Sequence, residues 1–242
     1  MVTKTAAIVL HSFKLTDNKL VVDMLIADGT RVACVAAVSH SPRARIRRQL
    51  FQPMTLLSVE YDTRPSARLK RLHEAQIVSP YTTLYDDPVK LSLSLFVAEF
   101  LYNATKGEQQ NPELFAYIVN SMRWLDTART TVCANFHVVF TMRLSRFLGF
   151  LPNTDNYQRG AVFDLRGACF STALPAHGDY LSPVDSERLL TLIRMDYDTM
   201  YLFRMTRADR NYITDVIMRF YRLQLPAFPE PRSLQVLREL WA

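Results

Sequence analysis

The sequence predicts an α+β protein in two parts: a small closed β-barrel in the first third, then an all-α region. Three observations carry this. Residues 1–80 hold five short runs of strand-like alternation with no room for crossover helices. After Pro80 the apolar period becomes that of helices. The positive excess also falls entirely on the strand-like part: residues 1–80 carry 12 Lys/Arg against 6 Asp/Glu, and residues 81–242 carry 17 of each sign. That asymmetry favours a basic module joined to an electrically balanced one.

The first run, Lys4 to Leu15, alternates around Ile8, Val9 and Leu10, and Lys19 to Ile26 is rich in β-branched and apolar residues. Ala27-Asp28-Gly29-Thr30 reads as the turn of a hairpin, because Asp-Gly accepts the positive φ angles that tight turns need. Arg31 to Val38 resumes the strand pattern. A connection rich in arginine follows, and then a fourth strand, Met54 to Tyr61, with Pro53 at its start, where a missing N–H does least harm. Arg68 to Val78 supplies a weaker fifth strand. Five short strands of this kind predict an OB-fold.

Asp87-Pro88 gives an N-cap and a first-turn proline for a helix whose apolar residues Leu91, Leu93, Leu95, Phe96, Val97, Phe100 and Leu101 surround it. Asn111-Pro112 repeats the signal for a helix reaching Leu125. Phe136, Phe140, Leu144, Phe147 and Leu148 follow helical spacing within Val132 to Leu148. Gly149 to Leu181 holds most of the turn residues and reads as irregular. Ser182-Pro183 starts another helix, and Thr206-Arg207-Ala208-Asp209 resembles a capping box before Ile213, Val216, Ile217 and Phe220. Pro226, Pro229 and Pro231 end that helix, and a short one over Leu234 to Leu240 follows. The predicted division is therefore an OB-fold domain over 1–80 and a helical domain over 81–242.

Composition excludes several classes. The chain of 242 residues is 49% hydrophobic and 21% charged, a globular balance that can bury a sizeable core. No run of 18 apolar residues suggests a spanning helix. The opening MVTKTAAIVLHSFKL lacks a basic n-region and a long h-region, so no signal peptide is expected. Cys34, Cys133 and Cys169 are far apart and odd in number, which points to reduced thiols and a cytoplasmic setting. None of the five histidines, His11, His40, His73, His137 and His177, belongs to a metal-binding pattern, and Cys133 with His137 makes only half a site. With 6 glycines there is no phosphate-cradling loop, and no nucleophile elbow is present. Asp86-Asp87 reads as a helix start and not as a catalytic carboxylate pair. The expectation is a protein without catalytic residues, cofactor or metal.

The basic residues are the informative feature. SHSPRARIRRQLFQP, from Ser39 to Pro53, places Arg43, Arg45, Arg47 and Arg48 within six positions on a connection between strands. Arg64, Arg68, Lys70 and Arg71 lie around the next turn, and Lys14 and Lys19 flank an earlier one. Phe13, Phe51 and Tyr61 are interleaved and could stack on bases. OB-folds bind single strands by a basic groove with stacking aromatics, and the planar fork of arginine suits phosphate. The candidate nucleic-acid-binding residues are thus Arg43, Arg45, Arg47, Arg48, Arg64, Arg68, Lys70 and Arg71.

Several stretches together resemble the bacterial recombination mediator family RecO, over nearly the whole chain: TKTAAIVLHSFKLTDNKLVVDMLIADGTRV, RRQLFQPMTLLSVEYDTR, LSLSLFVAEFLY and NFHVVFTMRLSRFLGFLPN. The most specific anchors are Leu50-Phe51-Gln52-Pro53 after the basic loop and Arg143 to Phe150 ending in Pro152. The resemblance implies an OB-fold joined to a helical domain, binding of single- and double-stranded DNA, and annealing of complementary strands. It implies the partners RecR and SSB and, through them, loading of RecA, in a cytoplasmic, nucleoid-associated protein that hydrolyses no nucleotide. It also brings a departure. Many members carry a four-cysteine zinc site after the Leu-Gly-Phe segment, whereas 150–181 here holds only Cys169, with His177 eight residues on. A degenerate segment without zinc is predicted, held by Phe163, Leu165, Phe170 and Tyr180. The residues alone leave two other readings open: an RNA-binding OB module, and a protein–protein adaptor whose basic loop meets an acidic partner.

Overall fold

The computed structural model of the protein describes residues 1–39, 46–63, 68–107 and 110–239. The strands β1 (Val2–Thr16), β2 (Lys19–Ile26), β3 (Arg31–Ala37), β4 (Leu56–Asp62) and β5 (Lys70–Ile77) close into a barrel in the order β1-β2-β3-β5-β4. Only the β3–β5 pairing is parallel, because a connection through β4 separates the two strands. Ala7, Val9, Leu20, Val22, Met24, Cys34, Ala36, Leu57, Val59, Leu72 and Ala75 fill the interior. Met54 stands just outside β4 with φ 68°, in the left-handed region, so the expected start at Met54 moves to Leu56.

Two compact units divide the chain. The first holds Met1–Ala128 together with Pro231–Leu237, and so adds two helices to the barrel, α1 (Pro88–Ala104) and α2 (Pro112–Thr127). Both start as the sequence predicts: the Asp87 carboxylate accepts from the N–H groups of Val89 and Lys90, and the Asn111 side chain accepts from Leu114. The β2–β3 turn packs against the second of these caps. Gly29 has φ 86°, and the backbone of Asn111 occupies the place where a Cβ would stand.

The segment between barrel and α1 is tied down by buried polar groups. Asp126 near the end of α2 accepts from the backbone N–H groups of Thr82, Thr83 and Leu84 at 2.8–3.0 Å. Burial pushes its carboxyl up, but these hydrogen bonds outweigh burial and hold it below the usual carboxylate value. The buried Lys90 ammonium donates to Thr83 Oγ1 and to the Asp126 carbonyl, both at 2.7 Å. Tyr81 and Tyr85 reach back to the barrel, donating to the Met54 and Pro53 carbonyls at 3.1 Å.

The second unit is built from Arg129–Glu230 together with Arg238–Ala242. A short 3-10 turn over Thr130–Asn135 leads into α3 (Phe136–Phe147), so the helix expected from Val132 is α-helical only from Phe136. The segment expected to be irregular contains a small antiparallel sheet of β6 (Val162–Asp164), β7 (Cys169–Ser171) and β8 (Tyr180–Leu181), ordered β7-β6-β8. Strands of two or three residues are too short to show a period in sequence. The helix α4 (Pro183–Arg194) follows its Ser182 cap, and α5 (Arg207–Gln224) carries the predicted capping box of Thr206 and Asp209. The last helix, α6, runs over Ser233–Glu239, and within the first unit Glu99 caps its start by accepting from Arg232 and Ser233.

Candidate nucleic-acid interface

The basic connection after β3 is anchored at both ends. Ser39 N–H donates to the Ile46 carbonyl at 3.4 Å, and Ile46 and Leu50 pack on the barrel core. Phe51, at the end of a 3-10 turn over Arg48–Phe51, is 2% exposed inside that core. Its carbonyl accepts from Ser12 Oγ at 3.0 Å, so Leu50-Phe51-Gln52-Pro53 is a plug that seats the connection on the barrel. Arg47 and Arg48 flank the plug and are exposed. Arg43, Arg45 and Arg64 lie outside the described residues.

Strand pairing places further predicted cations beside β3, some at its C-terminal end and some along its middle. Val38 N–H donates to the Asn18 carbonyl in the β1–β2 turn at 2.9 Å, next to where the basic connection begins. The start of β5 pairs with the middle of β3, Lys70 with Cys34 and Arg71 with Val35. Arg68 and Arg71 are exposed. Lys70 is half-buried at the register position of a core residue, and its charge acts on the Cys34 thiol. Burial pushes that thiol up to about 12, with the ammonium pulling the other way. A thiol so held stays protonated at neutral pH and is a poor nucleophile.

Of the three aromatics singled out in the sequence, Phe51 and Tyr61 are core residues, 2% and 5% exposed, whereas Phe13 is 46% exposed. A bulge decides this. Val9 pairs with Met24 but His11 pairs with Asp23, so Leu10 is an extra residue and the alternation of β1 reverses. Unbroken alternation from Ala7 and Val9 would aim His11 and Phe13 into the barrel; the bulge turns both outward. Phe13 then heads an outward row across four strands, Phe13, Val21, Val35 and Arg71. Beside it the outward positions of β3 are Ala33, Val35 and Ala37, whose small side chains leave a flat floor. Sequence reasoning missed Arg31, Lys106 and Tyr102, which gather beside this row. The Arg31 guanidinium lies 4.7 Å from the Tyr102 ring centroid and donates to the Tyr102 carbonyl at 2.8 Å, while Lys106 Nζ lies 5.3 Å from the same ring. Tyr102 belongs to a helix some ninety positions further on than His11, which no local pattern reveals.

In the second unit the segment that would hold a zinc does not fit one. Among the described residues no three His, Cys, Asp or Glu side chains converge as a metal site. Instead His177 Nε2 lies 3.5 Å from Asp164, and Asp179 binds Arg166 at 2.6 Å and Arg219 at 2.7 Å. The aromatic rings of Tyr157, Phe170, Phe163, Phe220, Phe150 and Tyr221 contact one another in series, with centroids 5.0–6.1 Å apart. Phe163 and Leu165 are fully buried and Phe170 nearly so, while Tyr180 is half-buried. Arg143, in the second sequence anchor, donates to the Met195 carbonyl at 3.1 Å and so braces α3 against the segment after α4.

Barrel, helical extension and basic face together define an OB-fold protein of the α+β class. Residues 1–81 match the family model described as recombination protein O N terminal, and residues 85–233 match recombination protein O C terminal. The chain is 45% identical over 242 residues to the DNA repair protein RecO of Bacteroides fragilis and 43% identical to that of Phocaeicola vulgatus, covering 100% of each chain. The RecO of Porphyromonas gingivalis is 30% identical over 248 residues. The chain belongs to the recombination protein O family. None of its helices, among the described residues, is long and apolar enough to cross a membrane.

Proposed function

We propose that this protein is a DNA-binding recombination mediator of DNA repair in the RecF pathway. It binds single- and double-stranded DNA through its OB-fold domain, residues 1–80, and anneals complementary strands. With RecR it helps to load RecA onto DNA coated by SSB. Arg43, Arg45, Arg47, Arg48, Arg64, Arg68, Lys70 and Arg71 neutralise phosphates, and base pairing between the strands supplies the sequence discrimination. The carrying observation is the placement of charge. The whole +6 of the chain falls on residues 1–80, and Arg47, Arg48, Arg68 and Arg71 stand exposed on the connection after β3 and around the start of β5, among the strands and loops by which OB-folds take oligonucleotides.

Annealing follows from that placement without a catalytic step. Two strands repel each other, and a basic surface that screens both raises their local concentration whatever their sequence. Contacts to the protein partners fall to the helical domain, residues 81–242. A half-open groove of about 440 Å³ there is lined by Leu192, Met195, Met205 and Tyr212, and by Arg188 and Arg204 against the single acid Asp209. An apolar lining with an excess of cations suits the acidic, apolar-ended tail of SSB.

The test is annealing of two complementary oligonucleotides by the wild type and by a variant with Arg43, Arg45, Arg47 and Arg48 changed to alanine. The expected result is acceleration by the wild type and its loss in the variant. A wild type that does not accelerate annealing would overturn the reading and favour an adaptor that binds an acidic protein.

A further inference from the structure

Phe13 is the outer member of three rings in series. Its centroid lies 5.8 Å from the His11 ring, and that ring lies 5.0 Å from Tyr102. His11 and Phe13 are exposed and Tyr102 is half-buried. The surroundings are cationic: Arg31 and Lys106 sit at the Tyr102 ring, 4.7 and 5.3 Å from its centroid. Asp23, the register partner of His11 on β2, is paired with Arg31 at 3.6 Å. A lone exposed phenylalanine is ordinary on a protein surface. Three linked rings bordered by two cations, beside a flat floor of Ala33, Val35 and Ala37, are a different arrangement.

We infer that His11, Phe13 and Tyr102 form a base-stacking platform, open at Phe13, for a nucleobase of a single strand crossing the outer face of the barrel. This rests on the DNA-binding reading and adds to it the contact made by the bases. The occupant is argued from charge and shape. A ring face attracts any base, which makes the contact sequence-tolerant. The cations around Tyr102 suit the phosphates on one side of the stacked base. Arg71 serves the other side: it ends the row that Phe13 begins, three strand spacings or roughly 14 Å away. An apolar protein segment would instead want a continuous exposed apolar patch; beyond Phe13 the row passes through Val21, 3% exposed, and half-buried Val35 to the charged Arg71. A strand that stacks here runs past the β1–β2 turn and the start of β5, so bases and phosphates are gripped on the same face.

The platform predicts a dependence on bases that the arginines do not. Binding of labelled oligo(dT) and of a deoxyribose-phosphate oligomer of the same length without bases is measured for the wild type, Phe13→Ala and Phe13→Trp. The expected result for Phe13→Ala is about a 5- to 150-fold loss of oligo(dT) affinity, the worth of one stacked base. Its affinity for the abasic oligomer and its thermal midpoint stay as in the wild type. Phe13→Trp restores oligo(dT) binding, and emission of the introduced indole is quenched by oligo(dT) but not by the abasic oligomer. Equal oligo(dT) binding by the wild type and Phe13→Ala would overturn the platform and leave DNA binding intact. So would an equal loss on both oligomers. A wild type that binds neither oligomer would overturn the DNA-binding reading and the platform with it.

Discussion

His137 shows how one buried residue sets a pH dependence. It lies in α3, 3% exposed, with Nε2 3.2 Å from Thr214 Oγ1 on α5. Burial, helped by the nearby Arg210 charge, lowers its pKa from the ordinary 6.5 to about 3. The folded protein therefore refuses a proton that the unfolded chain accepts. The stability tied to neutral His137 is fully present above pH 6.5 and is lost as pH falls toward 3, by at most about 1.4 kcal/mol per pH unit. Asp126 and Glu99, both held below the usual carboxylate value, add their own loss only further into acid. Urea unfolding of the second unit between pH 7 and pH 5 is the measurement. The wild-type midpoint is expected to fall over that window, and His137→Asn, although less stable at pH 7, is expected to show a flatter profile. Parallel profiles would show that His137 is not the residue that titrates.

At the scale of the element, the segment over 150–181 keeps its fold by burial. Its cysteine content leaves no tetrahedral metal site, and its ion pairs at Asp179 are solvent-exposed, so screening leaves them little weight. Phe163 is 0% exposed and contacts both Phe170 and Phe220. Phe163→Ala is expected to cost about 3–5 kcal/mol. Asp179→Ala, and a chelator added to the wild type, should hardly move the unfolding midpoint. One tightly held zinc per chain in a metal analysis would refute this account. The same segment shows why some elements could be read from sequence and others not. Helices with a proline-marked start or a capping box were legible because the signal is local: Asp87-Pro88, Asn111-Pro112, Ser182-Pro183 and Thr206 to Asp209 each begin a helix where expected. The strands Val162–Asp164 and Tyr180–Leu181 were not, since their facing residues, Phe163 with Leu181 and Asp164 with Tyr180, are far apart in the chain and neither strand is long enough to alternate. The bulge at Leu10 is a third case. Whether the alternation of β1 reverses is settled by its register with β2, so Phe13 could be named from sequence but not oriented.

At the scale of the whole molecule, the separation of charge is the property that sequence alone conveys best and that strand pairing makes usable. Arginines 31 and 71 are forty positions apart in the chain, yet both lie on the outward side of the barrel, which the linear sequence cannot show. The remainder of the chain carries no net charge, so the affinity for nucleic acid should be governed by how many barrel cations meet phosphates. Counterion release makes that number measurable. Log K should fall linearly with log salt, by about 0.7 per phosphate neutralised on a single strand and about 0.9 on a duplex. Changing Arg43, Arg45, Arg47 and Arg48 to alanine should therefore flatten the single-strand slope by about 0.7 for each arginine that meets a phosphate. Changing Arg143 and Arg146 in α3, of which Arg143 braces the Met195 carbonyl, should leave it unaltered. Phe13→Ala belongs with neither set, because a stacking contact releases no counterion and lowers affinity equally at every salt concentration. Three variants thus separate by slope and intercept: the arginine loop changes the slope, the ring changes the intercept alone, and the helical-domain arginines change neither. A four-arginine variant with the wild-type slope would place the phosphate contacts elsewhere on the barrel.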